Sequence, residues 1–262
     1  MEFIDVIISI YLFILGSIFA SFFGVVISRV PKELSIVKPA SHCENCNHVL
    51  KWYENIPVFS YIFLKGKCSK CKTPIGVWGF IYELIGGLSL VLAYLAYGLN
   101  VETIFIVSIV LILVLIAGFD FKTNTILDIT WIIFLVLSLA LFAYRIFVLN
   151  HNYLPYIIGA GVGFVFFMSI KVIGRLIMGV DCLGGGDVIV MAIAGLILNW
   201  GGLLISILIA SVLGSIIELT LIKLKVKNRE SEIAFCPYLV LGIFIALLYG
   251  QSIINFYMGL VI

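Results

Sequence analysis

Long apolar runs separated by short polar breaks fill almost the whole chain. Eight of them read as helical membrane spans, at roughly 4–28, 77–97, 102–119, 128–149, 154–178, 187–200, 202–223 and 233–260. A bilayer core of about 30 Å needs roughly 20 residues of helix, and most of these runs supply that. The sixth is short, so the pattern predicts that it is tilted or entered through the glycine-rich turn ahead of it. Only one polar stretch of any size interrupts the pattern, residues 30–76. The expected organisation is therefore a first transmembrane helix over 1–29, a small polar domain over 30–76, and a transmembrane core over 77–262. The fold class is all-α and polytopic.

Composition narrows this further. The 262 residues are 63% hydrophobic and only 11% charged, with a mean hydropathy of +1.24. Charged residues make up about a quarter of an ordinary soluble domain, so a soluble fold is excluded. The partner is a lipid bilayer, and no nucleic-acid partner is expected. The start carries Glu2 and Asp5 instead of a basic flank, which predicts a retained first span with its N-terminus outside. With eight spans, 15 of the 16 Lys and Arg residues fall on one side and only Arg145 lies towards the other. Positive charge marks the cytoplasmic side. Both termini are then outside and the 30–76 domain is cytoplasmic.

That domain is too small for an ordinary apolar core and needs a staple. Cys43-x-x-Cys46 and Cys68-x-x-Cys71 provide one: four thiolates on two knuckles, 21 residues apart, suit a tetrahedral zinc ion. The cytosol keeps thiols reduced, which favours metal over disulfides. Four sulfurs leave no open coordination position, so the zinc would be structural. A redox dithiol pair and an iron–sulfur site are the rival uses of the same cysteines. His42 and His48 are read as solvated, and Cys182 and Cys236 as small apolar filler.

Among the 14 acidic residues, Glu2, Asp5, Glu33, Glu44, Glu54, Glu102, Glu230 and Glu232 fall in loops or at ends, where solvation suffices. Six sit within spans or at their boundaries: Glu83, Asp120, Asp128, Asp181, Asp187 and Glu218. Ionisable groups in such places are candidates for function. Asp120 is expected to end the third span and Asp187, after Gly184-Gly185-Gly186, to open the sixth. The topology sets both at the cytoplasmic edge. Two facing carboxyls would share a proton, one drawing a proton from water while the other donates to a carbonyl. The bland alternative for each is a helix cap or a partner for lysine. Helix dipoles favour the protonated role for Asp120 and the basic role for Asp187. The glycines read as backbone left free for something to approach.

Several stretches together resemble the type IV prepilin peptidase family, the membrane aspartic proteases with a GxGD motif. They are Ala20–Pro31, the two CxxC knuckles with Trp52-Tyr-Glu-Asn55-Ile-Pro57 between them, Phe119-Asp120 with Leu127-Asp128, Gly184-Gly-Gly186-Asp187-Val188, and Phe235-Cys-Pro237. The resemblance implies a bacterial cytoplasmic-membrane endopeptidase that removes the basic leader from prepilins and pseudopilins. It makes Asp120 and Asp187 catalytic, Gly184 and Gly186 the motif backbone, and 77–262 the peptidase core. It also implies, for many members, N-methylation of the new terminus with S-adenosylmethionine. The chain departs from the family pattern at Gly24, Leu127, Ile189 and Cys236, and across 77–82 ahead of Glu83. Two other readings stay open on residues alone: a non-catalytic transporter or scaffold with a zinc-stabilised cytoplasmic domain, and a membrane thiol oxidoreductase.

Overall fold

The structure is a computed structural model that describes residues 3–179, 183–225 and 234–261. Among them are seven helices long and apolar enough to cross a membrane and no β-strand. They are α1 (Phe3–Arg29), α3 (Val77–Tyr97), α4 (Val101–Thr123), α5 (Asp128–Phe147), α6 (Leu154–Met178), α7 (Gly185–Lys223) and α8 (Cys236–Val261). The short α2 (Phe59–Phe63) lies between α1 and α3. Asp181, Cys182, Glu2, Glu230, Glu232, Lys227 and Arg229 lie outside the described residues. The chain forms two compact units, Met1–Leu95 and Ala96–Ile262.

In the first unit α1 and α3 cross through small residues. A side chain on Gly16 would strike the backbone of Gly86, and one on Gly87 would strike Ser17 and Phe13. Ser17 Oγ donates to the Glu83 carbonyl at 3.0 Å. Close backbone approach through glycine is the expected glue where water cannot drive helices together. Gly24 continues the small-residue spacing of Gly16 and Ala20 but meets nothing within 4 Å, so the stripe ends one turn early. Between the helices the chain makes a long, largely irregular excursion. Val58 there holds φ 64° and ψ −55°, a positive-φ conformation that a β-branched residue rarely adopts. The Glu83 carboxylate on α3 pins it by accepting the Val58 N–H at 2.6 Å.

In the second unit the sixth and seventh expected spans are one 39-residue element, α7, broken at Asn199 (φ 59°, ψ 178°). An unbroken helix of that length would run about 58 Å, twice a bilayer core. The contacts show a reversal. The first limb, 185–198, packs along α6, with Gly159 against Gly195 and Asn199, and Gly163 against Met191. The second limb, 200–223, packs along α8, with Ser206 against Gly242 and Gly214 against Tyr238. Glu218 at its far end accepts a 2.8 Å bond from Tyr238, in the opening turn of α8. The Asn199 side chain caps the second limb, accepting from Gly201 N at 2.9 Å and Gly202 N at 3.1 Å. The two limbs therefore account for the sixth and seventh spans.

At the Asn199 end Arg145 is buried. It pairs with Glu102 at 2.7 Å, donates to the Ile197 carbonyl and lies over the Tyr156 ring. Glu102, read from sequence as a solvated loop acid, is thus the part-buried half of an ion pair on the first turn of α4.

Candidate active site

Asp120 and Asp187 come together in the second unit at the opening of α8. Asp120 lies one turn inside α4, which runs on to Thr123 and closes on Asn124 in the left-handed conformation. Its Oδ2 accepts the main-chain N–H of Cys236, the first residue of α8, at 3.1 Å. Asp187 is the third residue of α7, where its carboxyl reaches back to the N–H of Gly184, the helix cap. An acid at this position commonly satisfies the free amides of a helix start. Both carboxyls therefore cap helices, Asp187 its own and Asp120 a neighbour's. The bland reading of a boundary aspartate holds in part, but it leaves a remainder. Asp187 is 6% exposed, and its Oδ1 has no hydrogen-bond partner. A buried oxygen in that condition costs about 1–3 kcal/mol, which points to a group that uses it.

The N-terminal amide at α8 also removes the asymmetry expected from helix ends. Asp120 belongs to the C-terminal turn of α4, yet its carboxyl is held at the positive end of α8. Cys236 was missed from sequence as filler. It is fully buried, and its N–H is bound to Asp120. The Phe235-Cys-Pro237 stretch was a visible signal, but its meaning depended on a contact 116 residues away.

The glycines divide by role. Gly184 and Gly185 are exposed beside Asp187, as a surface open to approach requires. Gly186 is not free backbone. A Cβ there would lie 2.7 Å from the Ile126 side chain, so its bareness seats the α4–α5 loop against the start of α7. Gly185 has the Lys171 ammonium beside it, 3.3 Å from where a Cβ would stand.

In the first unit the four cysteines converge. Their sulfurs all lie within 4.8 Å of one another, with Cys43–Cys71 at 3.7 Å and Cys46–Cys68 at 3.9 Å. Zinc–sulfur bonds of about 2.3 Å arranged tetrahedrally put sulfurs about 3.8 Å apart, so the cluster fits a zinc ion. The knuckles are built alike. Cys43 N bonds to His48 O and Cys68 N to Thr73 O, with Asn47 and Lys72 in the left-handed conformation after each second cysteine. Asn45 Nδ2 ties the knuckles by donating to Thr73 Oγ1 at 2.8 Å. The thiols differ. Thr73, through its hydroxyl and then its N–H, draws Cys71 down to about 5. The His48 amide pulls Cys46 the same way, but burial and three neighbouring sulfurs push it up to about 11. Such a cluster could hold a metal ion.

Two family models match the chain. The bacterial peptidase A24 N-terminal domain matches residues 14–97, and the type IV leader peptidase family matches residues 104–219. Among curated proteins, a prepilin leader peptidase/N-methyltransferase of Klebsiella pneumoniae is 32% identical over 210 residues, covering 77% of this chain and 90% of that protein. This chain belongs to the type IV leader peptidase family. A protein of the same name from Aeromonas salmonicida (strain A449) is 30% identical, covering 88% of this chain and 78% of its own. One from Myxococcus xanthus (strain DK1622) is 33% identical over 82% of this chain, although the chain spans only 63% of that relative's length. No solved structure matches. The N-terminal model takes in the four cysteines and the leader peptidase model takes in both aspartates, whereas Cys236 lies beyond it.

Asp128, Glu218 and Glu54 of this leader peptidase family member have partners of other kinds. Asp128 accepts from the Trp131 indole at 3.1 Å. Glu218 binds the Tyr238 hydroxyl. Glu54, read as solvated, is 7% exposed and bonds to Lys51 N and to His48. The Lys51 amide first, and then the Ser69 side chain, hold its carboxyl down at about 2. His48, read as solvated and spare, is therefore engaged.

Proposed function

We propose that this protein is a membrane aspartic endopeptidase that cuts the basic leader from prepilins and pseudopilins at the cytoplasmic face of the bacterial cytoplasmic membrane. Asp120 and Asp187 are its catalytic pair. The observation that carries this reading is the meeting of two buried carboxyls from α4 and α7 at the opening of α8, with one Asp187 oxygen unpartnered. The pair shares a proton. The ionised member takes a proton from water as the water oxygen attacks the scissile carbonyl, and the protonated member gives its proton to the carbonyl oxygen. Collapse of the tetrahedral intermediate returns a proton to the leaving amine. Exposed Gly184 and Gly185 leave room for an extended substrate backbone beside the acids.

The orientation rests on the basic loops, 15 positive residues against one. The matched relatives are named as N-methyltransferases as well. By that likeness, S-adenosylmethionine would give its methyl group to the amine freed by cleavage. Cys43, Cys46, Cys68 and Cys71 would hold one zinc ion, which cross-links the two knuckles and has no position left for substrate.

The test uses purified full-length protein and a prepilin, with and without S-adenosylmethionine. Asp120→Asn and Asp187→Asn each abolish leader removal while leaving folded yield and melting temperature near wild type. Cleavage that persists in either variant overturns the pairing. A mass gain of one methyl group on the product, only with the methyl donor, supports the second activity, and its absence removes it.

A further inference from the structure

A lysine stands where the seam between α6 and the first limb of α7 calls for small or apolar residues. The seam runs antiparallel: Gly159 meets Gly195, Gly163 meets Met191, and Lys171 meets Gly185. Residues 159, 163, 167 and 171 follow one another at helical spacing on one face of α6. Phe167 on that face is 1% exposed. Lys171 closes the stripe, part-exposed, with its Nζ 3.3 Å from where a Cβ on Gly185 would stand. Among the described residues it makes no ion pair. A lysine that only snorkels carries its charge out to the headgroups. This one is turned along the packed seam onto the bare backbone that opens α7.

That backbone has a charged group at each of two successive residues. Asp187 Oδ2 is 3.4 Å from where a Cβ on Gly184 would stand, and the Lys171 ammonium holds the matching place at Gly185. Both glycines are exposed. Asp187 Oδ1 is an independent sign that a ligand is received here, because it is buried and has no partner. Successive Cα atoms are about 3.8 Å apart and an extended strand rises about 3.3 Å per residue. The acid and the ammonium are therefore offset by one to two residues of an extended peptide lying across the glycines.

We infer that Lys171 is a substrate-binding residue of the peptidase, its ammonium donating to a main-chain carbonyl on the mature side of the scissile bond while the acids face the bond itself. This rests on the reading of Asp120 and Asp187 as the catalytic pair. Exposure fixes the kind of role. Electrostatic stabilisation of a reacting oxygen is strong in a site closed to water, and Lys171 is part-exposed, so it grips the peptide instead of the transition state. Charge fixes the direction. The leader is basic and is repelled by an ammonium, so it leaves from the Gly184 side and the mature segment crosses Gly185. Lys171 thereby sets which way round the substrate chain lies.

The experiment measures kcat and KM for prepilin cleavage by purified full-length wild type, Lys171→Met and Lys171→Gln, with Asp187→Asn alongside. Methionine keeps the apolar stem without the charge, and glutamine keeps a neutral donor of shorter reach. Both variants raise KM about five- to tenfold and leave kcat within about twofold, the pattern of lost ground-state binding. A KM unchanged in both, or a loss confined to kcat, overturns the inference. Direction is read with two altered prepilins, one with an added lysine two residues after the scissile bond and one with it two residues before. The first raises KM about threefold or more in wild type and loses that penalty in Lys171→Met, whereas the second acts equally on both enzymes. Coupling on the leader side, or on neither side, overturns the assignment. This coupling is a ratio between substrates on one enzyme, so a variant of lower folded yield still reports it. Residual cleavage by Asp187→Asn overturns the catalytic pair itself, whatever the lysine variants do.

Discussion

Arg145 Nη2 lies 2.7 Å from Glu102 Oε1, joining the end of α5 to the first turn of α4 across 43 residues of sequence. Arg145 was expected as the lone positive residue towards the outer side; in the structure it is buried and paired with a carboxylate. A buried pair stabilises little against apolar replacements, but breaking one costs about 3–5 kcal/mol because a charge is stranded. Glu102→Ala should therefore lower the melting temperature in detergent clearly. The double change Glu102→Leu with Arg145→Met should recover most of the loss. Thermal unfolding of the three proteins decides between pair and point charge.

Metal content tests the cysteine cluster. Purified protein should carry about one zinc per chain, and Cys68→Ser should lose it. Because Cys68 is 1% exposed and the polar domain has little other core, metal loss should expose 30–76 to protease before the helices. Metal analysis with limited proteolysis reads both. Thiols intact with less than about half an equivalent of zinc would remove the structural role.

Glu54 supplies a pH dependence with a definite sign. Its carboxyl is held at about 2, below its ordinary 4.5, by the Lys51 amide foremost. A lowered acid binds fewer protons folded than unfolded, so its stabilisation is full above about 4.5 and is lost as pH falls towards 2. Glu54→Gln should therefore melt lower than wild type by a constant margin from pH 5 to 8, and the margin should close below 4.5. Metal release in acid affects both proteins, so the difference between them is the quantity to follow.

The α6–α7 crossing makes a sharper mutational contrast. A side chain on Gly195 would overlap the backbone of Gly159, whereas one on Gly161 would meet nothing within 4 Å. Gly195→Leu should abolish folded yield or cleavage, and Gly161→Leu should do neither. Size-exclusion yield and cleavage rate measure both.

Apolar runs made the helices legible, because a bilayer admits almost nothing else. The cysteine knuckles were legible because metal spacing is local. Partners distant along the chain were not. Glu54 and Glu102 looked solvated, since nothing near them in sequence announces Lys51's amide or Arg145. Cys236 looked like filler because Asp120, bound to its N–H, lies 116 residues away. Gly186 looked like free backbone until Ile126 filled the space above it. Gly24 keeps the four-residue spacing of Gly16 and Ala20 yet meets nothing within 4 Å, so spacing alone does not make a contact.

The reversal at Asn199 has a consequence for register. Adding one residue to a helix turns everything beyond it by about 100°. In the first limb of α7 such an insertion would swing Asp187 away from Asp120 while leaving Gly214 and Glu218 in phase with α8. In the second limb it would do the reverse. The two limbs are continuous in sequence yet keep separate rotational settings, so either could drift in evolution without dragging the other out of line.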